Sequence, residues 1–334
     1  MLGAMDATLP YPAGRAERDR WILARRGPRP VHDVWQAQGS FVESECAEDR
    51  GLVSMLTVLL TSRECPWRCL MCELWKFTVE TGIPSGAIPA QIRQVLADRS
   101  ATGDASARRQ LKLYNGGSFF DPRAVPPADD DAIADLTTGF ERVIVECHPT
   151  LVGGRCLRFQ DRLRRHGVAL EVAMGLETAH PEVLEKLNKR MTLARFRGAA
   201  QRLRQAGIAS RAFVLLKPPF LNDDLEALHW AMRSIEFAFG CGVGTVVLIP
   251  TRDGNGAMET LAHQGHYAPP RAGLLETALA RGLADGRGRV FADLWDFERL
   301  ATCPACRVAR RDRLHQMNLT QKSLPPVTCA VCPD

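Results

Sequence analysis

Short apolar runs alternate with longer amphipathic runs along most of the chain, which is the pattern of β-strands followed by helices. The predicted strands are Leu52–Leu60, Gln110–Tyr114, Glu141–Glu146, Ala169–Met174, Arg211–Leu216 and Gly244–Ile249, with a further candidate at Arg289–Leu294. The predicted helices between them are Pro89–Asp98, Asp129–Thr137, Gly154–His166, Pro181–Leu187, Thr192–Ala206, Asp223–Phe239 and Pro270–Ala284.

This alternation predicts the fold. Consecutive strand–helix units build a parallel sheet with right-handed crossovers, and six of them predict an α/β protein with a partial (βα)6 TIM-like barrel. The loops at the carboxyl ends of barrel strands converge on one mouth, where functional residues collect. We therefore expect an N-terminal extension (residues 1–50) with a short helix near Arg15–Arg26, a barrel (51–295) and a small Cys-rich C-terminal extension (296–334).

The composition is that of a globular protein. The chain has 334 residues, of which 46% are hydrophobic and 24% are charged. It has neither an apolar run of membrane-spanning length nor a basic segment followed by an apolar core at its N-terminus, so we expect a cytoplasmic protein without membrane contact. The net charge of +5 is compatible with an RNA substrate and does not by itself indicate one. Eleven cysteines in this setting indicate metal binding rather than disulfides.

Three of these cysteines lie in one short loop after the first predicted strand. Cys65, Cys69 and Cys72 are separated by three residues and then by two. Three thiolates can hold one face of a cubane iron–sulfur cluster and leave its fourth iron free to bind a small molecule. A zinc site is the alternative, but zinc would need a fourth ligand nearby and no histidine lies in this loop. The spacing therefore favours a 4Fe–4S cluster with one open iron.

The Cys-x3-Cys-x2-Cys spacing resembles the signature of the radical S-adenosylmethionine (SAM) superfamily. The resemblance implies that the open iron binds the amino and carboxylate groups of SAM. It also implies that one electron from the cluster cleaves SAM to methionine and a 5′-deoxyadenosyl radical. A radical SAM partial barrel would hold this loop at its mouth, and an electron donor such as flavodoxin or ferredoxin would be a partner.

Other predicted strand ends carry residues suited to binding SAM. Gly116 and Gly117 let the backbone approach a ligand, and the resemblance implies that the motif of these glycines and Ser118 holds the amino group of SAM; an ordinary tight turn is the alternative. Glu146 is a candidate contact for ribose hydroxyls or an ammonium group. We expect Glu177 to meet SAM or the substrate at the rim.

Cations and a histidine near the mouth are further candidates. Lys189 or Arg190 could pair with the SAM carboxylate. Lys217 would bind an anionic group or donate a proton, and it joins the three cysteines as a candidate catalytic residue. Exposed surface charges are the alternative for all three cations. His148 could be an acid or base, or structural, and Glu171, inside an apolar strand, should point into the barrel.

Three strand-end segments together resemble one branch of the superfamily. They are YNGGSFFD (114–121), GLET (175–178) and LLKPPF (215–220), and the resemblance spans about residues 50–255. They look like the archaeosine-type radical SAM proteins, which are related to elongator-type and methylthiotransferase-type tRNA-modifying enzymes. The resemblance implies a lyase that cleaves a C–N bond in a lysine adduct on a tRNA deazaguanine, with tRNA as a partner. No segment resembles an appended RNA-binding domain.

The last part of the chain carries two Cys-x2-Cys pairs, Cys303 with Cys306 and Cys329 with Cys332. Such pairs are a strong metal signal, and four thiolates suit a structural zinc ion. A second iron–sulfur cluster is the alternative. The linker between the pairs is basic and suits either a phosphate backbone or a solvated helix face.

Two other functions stay open from the residues. One is radical modification of a small metabolite or peptide. The other is a non-catalytic, nucleic-acid-binding metalloprotein, which predicts that SAM is not cleaved on reduction. The unclosed three-cysteine loop argues against that second function.

Overall fold

The computed structural model describes residues 10–100 and 109–332. The strands are β1 (Gly39–Cys46), β2 (Leu52–Leu60), β3 (Ser62–Arg63), β4 (Thr78–Val79), β5 (Arg109–Asn115), β6 (Arg142–Glu146), β7 (Ala169–Glu177), β8 (Ala209–Leu216), β9 (Thr245–Pro250) and β10 (Arg289–Ala292). The helices are α1 (Arg15–Leu23), α2 (Ala87–Ser100), α3 (Asp130–Leu136), α4 (Gly154–Arg165), α5 (Pro181–Lys186), α6 (Leu193–Gln205), α7 (Asp224–Gly240), α8 (Ala257–His263), α9 (Ala272–Asp285) and α10 (Arg307–Thr320).

The described residues form one curled eight-stranded sheet in the order β1-β2-β5-β6-β7-β8-β9-β10. The strands from β2 to β10 are parallel, whereas β1 runs antiparallel to β2 along its whole length. Helices connect successive parallel strands and cover the outer face, as the crossover rule requires. Across the two described ranges, no helix is long and apolar enough to cross a membrane. The predicted α/β partial barrel with a Cys-rich C-terminal extension is confirmed.

Burial on both faces explains why the central strands were visible in the sequence. β2 is almost continuously apolar, and Val53, Met55, Val58 and Leu60 are all buried. Such runs are typical of parallel strands that pack against helices on one face and a filled lumen on the other. Two glutamates of β7, Glu171 and Glu177, are also buried, and each is paired.

Sequence reasoning missed β1 and α8, whereas the helix that it considered for the linker between the cysteine pairs is present as α10. β1 reads Gly-Ser-Phe-Val-Glu-Ser-Glu-Cys and lacks a clear apolar pattern, because Lys112 pairs with both the exposed Glu43 and the buried Glu45. The strand belongs to the main sheet although it falls within the predicted N-terminal extension. The division at residues 50 and 295 stays a prediction, and residues 1–9, 333 and 334 of its outer segments lie outside the described ranges.

A buried ion network lies inside the barrel near the amino ends of the strands. The Arg211 guanidinium donates to Glu45 on β1 and, over 2.9 Å, to Glu171 on β7. Lys112 of β5 donates to Glu45 over 2.8 Å, and Arg142 of β6 donates to Glu171 over 2.9 Å. Glu171 therefore points inward, as predicted, and its carboxylate is paired with Arg142 and Arg211. The network closes the floor of the barrel and leaves the opposite end, the mouth, for ligands.

Candidate functional site

The three-cysteine loop follows β2 and β3, and contacts from two other segments hold its backbone. The amide of Leu70 donates to the carbonyl of Leu187 over 2.9 Å. Asn255, after β9, donates to the carbonyls of Leu70 (2.8 Å) and Cys72 (3.2 Å). Asn188 donates to the carbonyl of Arg68 over 2.8 Å. These bonds fix the loop at the mouth before any cofactor binds.

The loop thiols are free and close enough to influence one another. Cys69 is buried, while Cys65 and Cys72 are partly exposed. Burial raises the pKa of all three thiols, that of Cys72 to about 12, and the neighbouring thiols raise the pKa of Cys69 further, whereas the Lys189 ammonium opposes this. Three mutually repelling sulfur ligands in a desolvated loop are suited to a positively charged metal centre, which would deprotonate them.

A second anchor of the loop is Glu64, which precedes Cys65. Its carboxylate pairs with Arg26 (2.7 Å), Arg29 (2.6 Å) and Arg68 (3.2 Å). Arg26 and Arg29 come from the segment after α1, so the N-terminal region is part of the support of the site. Sequence reasoning missed this because a partner 35 or 38 residues away leaves no local pattern.

Gly116 and Gly117 lie where the end of β5 passes the cysteine loop. A Cβ on Gly116 would lie 2.8 Å from the carbonyl oxygen of Leu74, and one on Gly117 would lie 2.6 Å from that of Arg63. The two glycines therefore permit close packing between the strand end and both flanks of the loop. The neighbouring Asn115 is buried, and its Oδ1 has no hydrogen-bond partner among the described residues. This unsatisfied acceptor beside the glycines suits a ligand that brings a donor.

Ser118 and His148 join the ends of β5 and β6. Ser118 is buried, and its Oγ accepts from the amide of His148 over 3.0 Å. The His148 ring stacks on Trp67 of the cysteine loop, with 3.7 Å between ring centroids, and its Nε2 lies 3.1 Å from the carbonyl oxygen of Lys189. Burial and the Lys189 charge lower the pKa of His148 to about 3. The neutral ring, which donates from Nε2, thus connects Trp67 of the cysteine loop with the backbone of Lys189.

Glu146 ends β6 and faces the same mouth. Burial raises the pKa of its carboxyl to about 8, although the Asn115 backbone and the Lys189 ammonium act in the opposite direction. This carboxyl group is mostly protonated at neutral pH, and in its ionised form it can accept hydrogen bonds from hydroxyls or pair with a cation that enters the site.

Glu177 and Lys189 form an ion pair across the mouth. Nζ of Lys189 lies 2.7 Å from Oε1 of Glu177, and both side chains are buried. Glu177 has a positive φ of 65°, which turns its carboxylate back over β7. Burial opposes the charge of Lys189, but Glu177 and then the Cys69 thiol outweigh it and raise the lysine pKa. The ammonium therefore stays charged beside the cysteine loop.

The other two predicted cations point elsewhere. Arg190 pairs with Asp19 of α1 and is part of the outer wall. Lys217 follows β8 with a positive φ of 57°, and its Nζ lies 2.5 Å from Oδ1 of Asp224 in the first turn of α7. The structure thus brings Lys189 to the cysteines, ties Arg190 to α1, and holds Lys217 at the start of α7.

The four C-terminal cysteines form a separate, tighter group. The Sγ atoms of Cys303, Cys306, Cys329 and Cys332 all lie within 4.8 Å of one another. All four belong to the residues that the structure describes, and each offers one thiol to a shared centre. A cubane binds each thiolate through a different iron, whereas a single ion gathers all its ligands around one point. The compact spacing of the tail thiols fits a single ion.

The chain is similar in sequence to known proteins. The chain is 26% identical over 230 residues to archaeosine synthase subunit beta of Methanosarcina acetivorans, covering 64% of this chain and 63% of that protein. It is 27% identical over 161 residues to the subunit of the same name from Thermococcus kodakarensis, covering 46% and 48%. The match thus spans less than two thirds of the length of either relative. No family model matches the chain.

Among solved structures, the chain resembles coproporphyrinogen III oxidase (HemN) from Escherichia coli, a radical SAM enzyme. The sequences are 14% identical, the TM-score is 0.42, and the match covers 69% of this chain and 52% of that chain. The resemblance inferred from the motifs, to radical SAM proteins of the archaeosine type, is confirmed by the names of the sequence relatives.

Proposed function

We propose that this chain, which has the radical SAM partial barrel and sequence relatives named archaeosine synthase subunit beta, reductively cleaves SAM and abstracts a hydrogen atom from its substrate. The observation that carries the proposal is the position of Cys65, Cys69 and Cys72. They lie in a preformed loop at the mouth of the barrel, beside a charged lysine and a carboxyl group of raised pKa. When bound there, a 4Fe–4S cluster would supply the electron that cleaves SAM.

The surrounding side chains would bind and orient SAM. We assign the SAM carboxylate to Lys189 rather than to Arg190, because Lys189 is the cation near the thiols and Arg190 is paired with Asp19. The backbone at Gly116, Gly117 and Ser118, with the unsatisfied Oδ1 of Asn115, would accept from the SAM ammonium.

Glu146 would accept from a ribose hydroxyl or an ammonium group, and Glu177 would hold Lys189 in place. Lys217 remains our candidate for an anionic group or a proton transfer on the substrate. Its ion pair with Asp224 keeps the ammonium at the end of β8.

For the substrate we propose a modified tRNA base and, as the reaction, cleavage of a C–N bond in a lysine adduct. The support is the resemblance of the strand-end motifs to archaeosine-type proteins, together with the name of the relatives, in which the word subunit suggests a second chain as a partner. Flavodoxin or ferredoxin is the proposed electron donor, zinc the proposed tail metal, and the cytoplasm the proposed location, because the cluster needs a reducing compartment.

The test uses protein that has been purified and reconstituted without oxygen. Dithionite and SAM are added, and 5′-deoxyadenosine is measured with and without total tRNA. Cys65→Ala, Cys69→Ala and Cys72→Ala should each abolish 5′-deoxyadenosine formation. Cys241→Ala is the matched control, because Cys241 is a buried free thiol at the end of α7 and should be dispensable. Unchanged turnover in Cys69→Ala would overturn the proposal.

The tRNA experiment separates the substrates. If a tRNA base is the substrate, tRNA should bind with a steep salt dependence and deuterium should move between substrate and 5′-deoxyadenosine. If SAM is cleaved but tRNA neither binds nor reacts, the substrate is a small metabolite or peptide, or the tRNA site needs the second subunit.

A further inference from the structure

One edge of β10, the last strand of the sheet, has its backbone N–H and C=O groups hydrogen-bonded by two side-chain amides. Gln321 accepts from the amide of Val290 over 2.9 Å and donates to its carbonyl over 3.0 Å. Asn318 does the same for Ala292, with both distances 2.9 Å. The other side of β10 pairs with β9. Two amide side chains thus take the place of a ninth strand at an edge that would otherwise be open to pairing with another chain.

The amides come from the end of α10. Asn318 lies in its last turn, Gln321 caps it with a positive φ of 52°, and the two are three positions apart on one face. Leu314 and Met317 on the same helix are fully buried in the main core. Arg310 donates to Glu276 of α9 over 2.8 Å. α10 therefore packs across the end of the sheet as an integral element.

The four tail cysteines bracket this helix. The carbonyl of Cys303 accepts from the amide of Arg307 (3.1 Å) and that of Cys306 from the amide of Arg310 (2.9 Å), so the first cysteine pair forms the start of α10. After Gln321 the chain returns along the helix, and Arg313 donates to the carbonyls of Leu324 (2.7 Å) and Pro325 (2.6 Å). The return brings Sγ of Cys332 to 3.4 Å from Sγ of Cys306.

We propose that a single tetrahedral metal ion of the zinc class clamps the two cysteine pairs and thereby holds Asn318 and Gln321 on the free edge of β10. Zn–S bonds of about 2.3 Å in a tetrahedron put any two sulfurs about 3.8 Å apart. The four sulfurs all lie within 4.8 Å of one another, so shifts of about 1 Å or less bring them to that geometry. The ion closes a loop that contains α10 and the return segment, so it removes the chain entropy that would otherwise release Gln321. This inference is independent of the radical chemistry.

The test measures metal content and amide hydrogen exchange on the full chain with its cluster in place. Wild-type protein should contain about one zinc and about four irons per chain. Cys329→Ser with Cys332→Ser should lose the zinc and keep the iron. Hydrogen exchange at the backbone amides of Val290 and Ala292 should rise by about tenfold or more, because the side chains of Gln321 and Asn318 that accept from them are no longer held in place.

Two further variants make the result interpretable. Asn318→Ala with Gln321→Ala should keep the zinc and still raise exchange at the same two amides. Cys241→Ser should change neither the zinc content nor the hydrogen exchange of Val290 and Ala292. Zinc loss with unchanged exchange at Val290 and Ala292 would overturn the clamp, and about eight irons per chain without zinc would overturn the metal assignment. Neither outcome bears on SAM cleavage, which the 5′-deoxyadenosine assay reports separately.

Discussion

Lys189 donates to Glu177 over 2.7 Å at the mouth of the barrel, and Gly175 leaves the space in which they meet. A Cβ at residue 175 would lie only 2.5 Å from Nζ of Lys189 and closer still to the carboxylate of Glu177. The glycine of the GLET segment therefore has a physical explanation. It makes room for a buried ion pair that brings an ammonium group to the cysteine loop.

Gly175→Ala should displace this pair. We expect SAM affinity to fall about tenfold or more and stability to fall by about 2–4 kcal/mol, because two buried charges lose their geometry. Equilibrium dialysis of SAM on reduced, reconstituted protein and urea unfolding measure the two effects. Gly198→Ala in α6 is the control, because nothing lies within 4 Å of its Cβ position and alanine should stabilise the helix by about 1 kcal/mol. Unaltered SAM affinity in Gly175→Ala would contradict the role of the pair.

Gly116→Ala should impair cluster assembly. The added Cβ would lie 2.5 Å from Cγ2 of Thr78 and 2.8 Å from the carbonyl oxygen of Leu74, so the cysteine loop would have to shift. Iron and sulfide per chain after anaerobic reconstitution should fall by about half or more, since three thiolates must keep their geometry to hold the cluster. Gly82→Ala is the matched control, with open space at its Cβ position. Full iron content in Gly116→Ala would show that the close approach is not needed.

SAM binding should depend on pH through Glu146. Its carboxyl pKa of about 8 lies above the ordinary value, so the group is mostly protonated at neutral pH in the free protein. If a cation of the ligand pairs with the carboxylate, binding releases a proton. Affinity then rises about tenfold per pH unit below 8 and levels off above it.

Glu146→Gln should give a flat pH profile for SAM binding over the same range. The measurement is a series of dissociation constants between pH 6 and pH 9 for both proteins, with iron content checked at each pH. A wild-type profile that is already flat would mean that hydroxyl groups, rather than an ammonium group, meet Glu146.

Arg211→Met should destabilise the fold strongly. Burial alone would raise the pKa of Glu45 and Glu171, but the charges of Arg211 and its neighbours outweigh burial and lower both. A lowered pKa contributes stability above the ordinary carboxyl value of about 4.3, and this stability is lost as the pH falls through the lowered value. Removing Arg211 should therefore cost about 3–5 kcal/mol at pH 7.

The difference in the free energy of unfolding between wild type and Arg211→Met should be smaller in acid, where the unpaired carboxylates of the variant take up protons. Urea unfolding at pH 7 and pH 4 measures it. The control is Arg233→Met, which removes an exposed helical ion pair with Glu236 and should change stability by less than about 0.5 kcal/mol. An equal loss at both pH values would indicate a packing defect instead of an electrostatic one.

The sequence by itself determined the architecture, the cysteine ligands and the strand-end residues of the site. Parallel strands buried on both faces must be apolar throughout, so the central strands were visible as runs, and β2 was predicted to the residue. The cysteine loop was visible because its three ligands are local, and the tail cysteines were visible because each pair is local. Strand-end residues such as Glu146 and Glu177 could be placed at the mouth from topology alone.

Only the tertiary structure decided which partners these residues have. Lys189 and Arg190 are adjacent cations between which the sequence could not choose, yet Lys189 pairs with Glu177 and Arg190 pairs with Asp19. β1 was hidden because Glu45 is polar in sequence and buried against Arg211, 166 residues away. The amide cap on β10 also joins residues about thirty apart. Local periodicity reports which face of an element is buried, but a charge or amide that is satisfied across the fold leaves no periodic trace, because its partner is set by three-dimensional packing.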